Sequence, residues 1–195
     1  MATKENIKGG LIAKLFIQSK PTEIFWIFSF SILTAVAAQI TIPVMPVPFT
    51  LQTMLVLLSG AFLGSKKGAY SQIAYLAMGV MGLPVFAQIP DTAIGFARLF
   101  GPTGGYLLSY PLAAFIAGYL IEKNKSYVNF VVSMFLADIV ILLVGSLYLG
   151  VFYLGNIVKA LETGAIVFLL WEVVKVFVSA SIYFGISKKH SKLPE

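Results

Sequence analysis

The chain contains no cysteine and a single histidine, His190. The first absence excludes disulfides, thiol catalysis and cysteine-held metals, and the second leaves no ligand cluster, so neither a metal nor a resident cofactor is expected. Acids and bases together supply only 11% of the residues, far below the roughly 25% of a water-soluble domain. Also missing is any Gly-x-x-x-x-Gly-Lys-Ser/Thr loop, so ATP hydrolysis by that device has to occur on another chain. No internal repeat and no low-complexity tract interrupts the sequence.

What is present is apolar. The 195 residues are 58% hydrophobic, with a mean hydropathy of +0.90. A helix crossing the ~30 Å hydrocarbon layer needs about 20 such residues, and the chain offers several runs of that kind. The expected fold class is an all-α integral membrane protein: a bundle of six transmembrane helices with a ligand pocket open to the outer side. Residues 1–195 read as one transmembrane domain, with an N-terminal segment 1–22, six spans within 24–187 and a tail 188–195. The first apolar run has lysines before it but no small-residue cleavage site, so it reads as a retained helix rather than a signal peptide.

Breakers divide the runs. The first helix is expected over Ile24 to Ile42, ended by Pro43, Pro46 and Pro48, because proline cannot continue a helix. Two short helices follow, Thr50 to Leu63 and Gly68 to Met81, joined by Gly64-Ser65-Lys66-Lys67. The stretch Gly82 to Gly101 reads as a long loop, a length that in ordered proteins usually serves a function. Helices four, five and six are expected over Gly105 to Ile121, Tyr127 to Gly150 and Thr163 to Ile186, with an interfacial helical turn from Asn156 to Glu162.

Lys and Arg fix an orientation, since cytoplasmic loops carry their excess. Lys4, Lys8, Lys14, Lys20, Lys66, Lys67, Lys123, Lys125, Lys188, Lys189 and Lys192 fall on one side of the six spans, against Arg98 and Lys159 on the other. Both termini are therefore expected in the cytoplasm. The formal charge of +6 sits at span ends, where lipid headgroups rather than nucleic acid are the partners.

An ionisable side chain inside the hydrocarbon is costly and marks function by default. Glu172 and Lys175 lie three apart on the sixth helix and so share a face, and Asp138 lies in the middle of the fifth. Two readings stand for the pair: mutual neutralisation, or the lining of a polar cavity in which the acid accepts ligand N–H groups and the ammonium meets a ligand carboxylate. Asp138 is equally compatible with a structural and a functional role. Arg98 is an interface anchor or an anion clamp. Gly101-Pro102-Thr103-Gly104-Gly105-Tyr106 allows close backbone approach at a helix start, for helix packing or for a ligand. On the first helix Ser31, Thr34, Ala35 and Ala38 give small-xxx-small spacings, suited to close approach of another transmembrane helix, within the bundle or from a partner.

Taken together, Pro46-Val47-Pro48-Phe49-Thr50-Leu51-Gln52-Thr53, Gly82-Leu83-Pro84-Val85-Phe86-Ala87 and Gly101 to Tyr106 continuing through Leu107-Leu108-Ser109-Tyr110-Pro111-Leu112 closely resemble the BioY family, the biotin-specific S components of energy-coupling factor (ECF) transporters. The resemblance implies high-affinity capture and uptake of biotin, no enzymatic activity, and a place in the cytoplasmic membrane of a prokaryote. It implies partners too: a transmembrane coupling subunit and two cytoplasmic ATPases, the first docking on Ser31, Thr34, Ala35 and Ala38. The family's helix-six motif Pro-Gly-Asp-x-x-Lys is matched by Leu170-Trp171-Glu172-Val173-Val174-Lys175, which keeps the charges but not the Pro-Gly. Some members carry an Asn before the Gly-rich turn, near Asp91 and Thr92 here, and an Arg after its Tyr, where this chain has Leu107.

The ligand set implied is Thr50, Gln52, Asp91, Thr92, Arg98, Gly104, Gly105, Tyr106, Trp171, Glu172 and Lys175. Within it Glu172 takes the ureido end of biotin and Lys175 or Arg98 the carboxylate, or the two ends are reversed, since Glu172 and Lys175 are close neighbours; Tyr106 packs on the rings, Gly104 and Gly105 give backbone contact, and Thr50 with Gln52 closes the lid. The altered helix-six motif keeps a different vitamin or heterocycle open as the cargo. Two further readings fit the same charges: a membrane-embedded enzyme built on Asp138, Glu172 and Lys175, and an assembly subunit that binds no ligand.

Overall fold

A computed structural model describes residues 21–88 and 94–189. Lys4, Lys8, Lys14 and Lys20, together with Asp91, Thr92, His190 and Lys192, lie outside the described residues.

Helix α1 (Pro21–Gln39) opens on a proline, whose missing N–H costs nothing in a first turn, and carries Glu23 there, where a carboxylate suits the helix dipole. It stops at Gln39 rather than at Ile42. Thr41 and Ile42 are instead strand β1, paired antiparallel with β2 (Phe49–Thr50) in the register Thr41 to Thr50 and Ile42 to Phe49. The three prolines lie in the loop that joins the two strands, and Val47 and Pro48 of that loop reach the cavity described below.

Helix α2 (Gln52–Val80) contains both expected short helices. The chain reverses at Gly64, whose φ of 78° and ψ of 175° are outside the helical region and are tolerated best by glycine. The reversal brings Gly68 against Gly60, and Gly60 in turn against Gly118 of α3 (Gly104–Lys123), each too close for a side chain to intervene. At about 1.5 Å per residue the two arms, 52–63 and 65–80, are only ~18 and ~24 Å long. Four other runs, Thr22–Gln39, Gly104–Lys123, Tyr127–Leu154 and Ile157–Lys188, are long and apolar enough to cross a bilayer. The hairpin is instead sheltered by α1 and α3, its main neighbours.

Helix α4 (Tyr127–Leu149) continues through a π-helical turn, Gly150–Leu154, and ends at Gly155 in the left-handed region. The amphipathic helix α5 (Ile157–Gly164) follows, capped by Asn156, whose side chain accepts the Lys159 N–H at 3.0 Å. It absorbs Thr163, so helix six starts later than its apolar pattern suggests. A non-helical Ala165 and a 3₁₀ turn, Ile166–Phe168, intervene before α6 (Leu169–Lys189). The bundle of six helices is thus α1, the two arms of α2, α3, α4 and α6. Phe25, Ile32, Val128, Leu170 and Val174 face outward, as lipid contact requires.

Candidate ligand-binding site

A cavity lies at the end of the bundle where the β-ribbon, the loop after α2 and the turn before α6 converge, the end opposite Lys66, Lys67 and Lys123. Its walls are apolar: Val47 and Phe86 from the loops, Leu107 from α3, Ile141 and Leu142 from α4, and Phe168. Phe168 is held by Phe49 at 4.3 Å between ring centroids, which couples the ribbon to the root of α6.

The polar floor is built on α6. Glu172 and Lys175, both buried, point the same way because they are three residues apart, and Nζ lies 2.6 Å from Oε1. The end of β2 and the start of α2 complete their coordination. Lys175 also donates to the Thr50 carbonyl at 3.1 Å and to the Thr53 hydroxyl, and that hydroxyl donates onward to Glu172 Oε2 at 3.0 Å. All three ammonium protons therefore have protein acceptors. That matters because an ion pair removed from water repays its desolvation only when its remaining hydrogen bonds are made.

A second polar chain runs beside this one. The Tyr110 hydroxyl donates to Gln52 Oε1 at 2.9 Å, Gln52 Nε2 donates to the Tyr75 hydroxyl at 2.7 Å, and Tyr75 donates to the Val85 carbonyl at 3.2 Å. Above it, Arg98 projects from the 3₁₀ turn Gly95–Phe100. It is 4% exposed, one Nη donates to the Ala87 carbonyl at 3.0 Å, and among the described residues its Nε–H has no protein partner. Burial pushes its pKa down, but a guanidinium starts so high that it stays charged.

The residues expected from sequence separate into three groups. Thr50, Gln52, Arg98, Tyr106, Glu172 and Lys175 line one cavity. Gly104, Gly105 and Trp171 are not among its lining residues. Gly104 admits the Leu99 carbonyl and Gly105 the Tyr148 side chain, so the turn serves helix packing. Trp171 lies beside the pair instead of in the cavity, its ring 6.0 Å from Lys175 Nζ. Asp91 and Thr92 lie outside the described residues. Tyr106 presents its ring to the cavity while its hydroxyl is held by the Gly164 carbonyl at 2.7 Å, which ties α3 to α5.

The first-helix stripe has an internal job. Ser31, Thr34 and Ala38 are fully buried and Ala35 is partly so. Ser31 donates to the Ser71 carbonyl at 2.6 Å, and Thr34 receives Gln72 Nε2 at 3.3 Å. The stripe expected to dock a partner is therefore spent on packing α1 against α2, because small residues let those two helices approach. Asp138 is 1% exposed, its Oδ1 has no partner among the described residues, and it lies within electrostatic reach of Glu172 and Lys175. Among the described residues no group of three His, Cys, Asp or Glu side chains could hold a metal.

Thr53, Tyr110 and Tyr75 belong to the site without standing out in the sequence. Tyr110 sits one turn beyond Tyr106 on the same face of α3, a spacing that could have revealed it. Thr53 and Tyr75 had no local signal, since their partners are 119 and 23 residues away in the chain.

Comparison with known proteins agrees with this architecture. The sequence model of the BioY family matches residues 11–192. The biotin transporter BioY of Thermotoga maritima is 40% identical over 159 residues, covering 82% of this chain and 92% of its own. A probable biotin transporter BioY of Pyrococcus horikoshii is 38% identical over 156 residues, covering 80% and 90%. A solved structure, the S-component for biotin from an ECF-type ABC transporter, superposes with a TM-score of 0.76 at 24% identity, over 86% of this chain and 91% of that one.

Proposed function

This chain belongs to the BioY family, and we propose that it captures biotin in the cavity floored by Glu172 and Lys175 and carries it across the membrane. It is a multi-pass membrane transporter rather than an enzyme, with biotin as its cargo and no cofactor. As the substrate-binding component of an ECF-type system it assembles with a transmembrane coupling subunit and two cytoplasmic ATPases, which supply the ATP hydrolysis for which this chain has no phosphate loop. It sits in the cytoplasmic membrane of a prokaryote with both termini inside and the cavity outside, a reading supported by the lysines at the end opposite the cavity. Residues 1–195 act as one transmembrane domain.

The observation that carries the reading is a fully hydrogen-bonded acid and ammonium on the floor of an otherwise apolar cavity. Biotin is complementary to that surface: a ureido group with donors and an acceptor, apolar fused rings and tail, and a terminal carboxylate. Because every Lys175 proton is already engaged while the buried Arg98 Nε–H has no partner among the described residues, Arg98 takes the carboxylate. Glu172 takes the ureido group, its carboxylate accepting the ureido N–H while Lys175 holds that carboxylate in place. Gln52 and Thr50 contact the ligand from the lid side.

Equilibrium binding of labelled biotin to the detergent-purified chain tests this, with Lys175→Ala and Glu172→Ala alongside. Tight wild-type binding weakened at least tenfold in either variant, about 1.4 kcal/mol, is the expected result. A folded wild type that ignores biotin but binds another heterocycle in competition assays would reassign the cargo.

A further inference from the structure

Tyr75 is fully buried yet does not line the cavity. Its hydroxyl has one possible direction. A carboxamide nitrogen only donates and a carbonyl oxygen only accepts, so Gln52 Nε2 must donate to Tyr75 at 2.7 Å and Tyr75 must spend its own proton on the Val85 carbonyl at 3.2 Å. Val85 belongs to the segment 83–87, which roofs the cavity through Phe86 and Ala87. The same segment is seated by shape. The Phe86 ring fills the space that a side chain at residue 79 would need, which is why Gly79 is there, and it stands edge-on to the Tyr75 ring at 5.5 Å.

Among the described residues, the other side-chain ties to this segment come from its periphery. Gln39 reaches the Pro84 and Phe86 carbonyls at 3.4 Å each, and Arg98 reaches Ala87 from the neighbouring turn. Tyr75 alone among these ties is rooted in the bundle core. Its other partner, Gln52, is itself part of the cavity wall, so a ligand that moves Gln52 also moves the acceptor and donor balance at Tyr75.

We infer that Tyr75 is a positioning residue that latches the segment 83–87 over the cavity and so sets how long a bound ligand stays. This rests on the reading that the cavity holds biotin. Opening the roof for entry or exit breaks the Tyr75–Val85 bond, whereas the floor is untouched. Removing the hydroxyl should therefore speed dissociation and association alike.

The experiment uses purified full-length chain, wild type and Tyr75→Phe, and measures association and dissociation of labelled biotin together with hydrogen exchange at the backbone amides of 85–87 and of 134–146 in α4. The expected result is dissociation roughly three- to tenfold faster, the loss of one net hydrogen bond, with association faster as well, and faster exchange confined to 85–87. Equal dissociation and equal exchange in the two proteins would overturn the latch. So would exchange rising alike in 134–146, which would make Tyr75 a general packing residue. A wild type that binds no biotin sinks the ligand reading by itself, and the exchange comparison then decides the latch without it.

Discussion

Two polar clusters are buried in this apolar bundle, and they are built to opposite ends. Around Gln72, the side chains of Ser31, Thr34, Ser59 and Ser71 knit α1 to both arms of α2. All five are uncharged, at 0% exposure, and none lines the cavity described above. Around Lys175, an acid, an ammonium and Thr53 form an equally dense network, but it is charged and forms the floor of an open space. Uncharged hydroxyls and amides suffice to join helices in a membrane. Charges there are costly, so the second cluster needs a reason beyond packing, and the cavity above it supplies one.

The sharpest way to break that contrast is the double variant Glu172→Gln with Lys175→Met. Replacing both partners of a buried ion pair by neutral groups of similar size is often neutral or stabilising, so thermal unfolding in detergent should change little. Biotin affinity, by contrast, should fall by roughly a hundredfold or more, the ~2–5 kcal/mol typical of a lost buried charged contact. If unfolding temperature and affinity collapse together, the pair is holding the fold and the contrast fails.

Gln72→Leu is the reciprocal change. It removes interhelical hydrogen bonds to Ser59 and Thr34 and should cost about 0.6–1.7 kcal/mol of stability, the range for such bonds in bilayers. The fraction that remains folded should bind biotin with wild-type affinity, as titration after size-exclusion would read. A weakened affinity would mean that the α1–α2 cluster reaches the cavity after all.

Much of this was legible from the chain. Runs of apolar residues and their breakers located all six helices, since in hydrocarbon the backbone has almost no alternative. The charges of Glu172 and Lys175 stood out because so few occur in the spans. What was not legible was chiefly where the spans end and which side chains meet. Helix α1 stops before Thr41 because a strand pairing with Thr50 competes for those residues, and nothing near Ile42 announces a partner beyond three prolines. The same spacing that makes Ser31, Thr34, Ala35 and Ala38 look like a docking face also suits contact within the chain, and the Ser71 and Gln72 partners that decide between the two are some 40 residues away. Gly104 and Gly105 carry the same ambiguity between ligand and helix, resolved by Leu99 and Tyr148 pressing on them.

Within the cavity, the contrast between engaged Lys175 and half-free Arg98 can be sharpened by Arg98→Lys. A lysine keeps the charge and the reach to the Ala87 carbonyl but loses the planar fork that meets a carboxylate with two N–H groups. Biotin affinity should fall roughly three- to tenfold, about one lost hydrogen bond, while biotinamide, which has no carboxylate, should bind both proteins alike. Equal losses for the two ligands would move the carboxylate away from Arg98.

The smallest expected effect lies at the far end of the bundle. Glu122 accepts the Ser65 N–H at 2.8 Å and its hydroxyl at 3.2 Å, capping the second arm of α2 just after the reversal at Gly64. An anion at a helix N-terminus contributes through the dipole and through the hydrogen bonds it accepts, together about 0.5–1 kcal/mol at a partly exposed site. Glu122→Gln keeps an acceptor and loses the charge, so unfolding should shift by no more than that amount, and biotin binding should not change. The tight glycine crossing at Gly60 and Gly118 lies between this cap and the cavity. A Glu122→Gln protein whose affinity moved with its stability would show that the crossing transmits strain, and the two ends of the molecule could no longer be treated as separate devices.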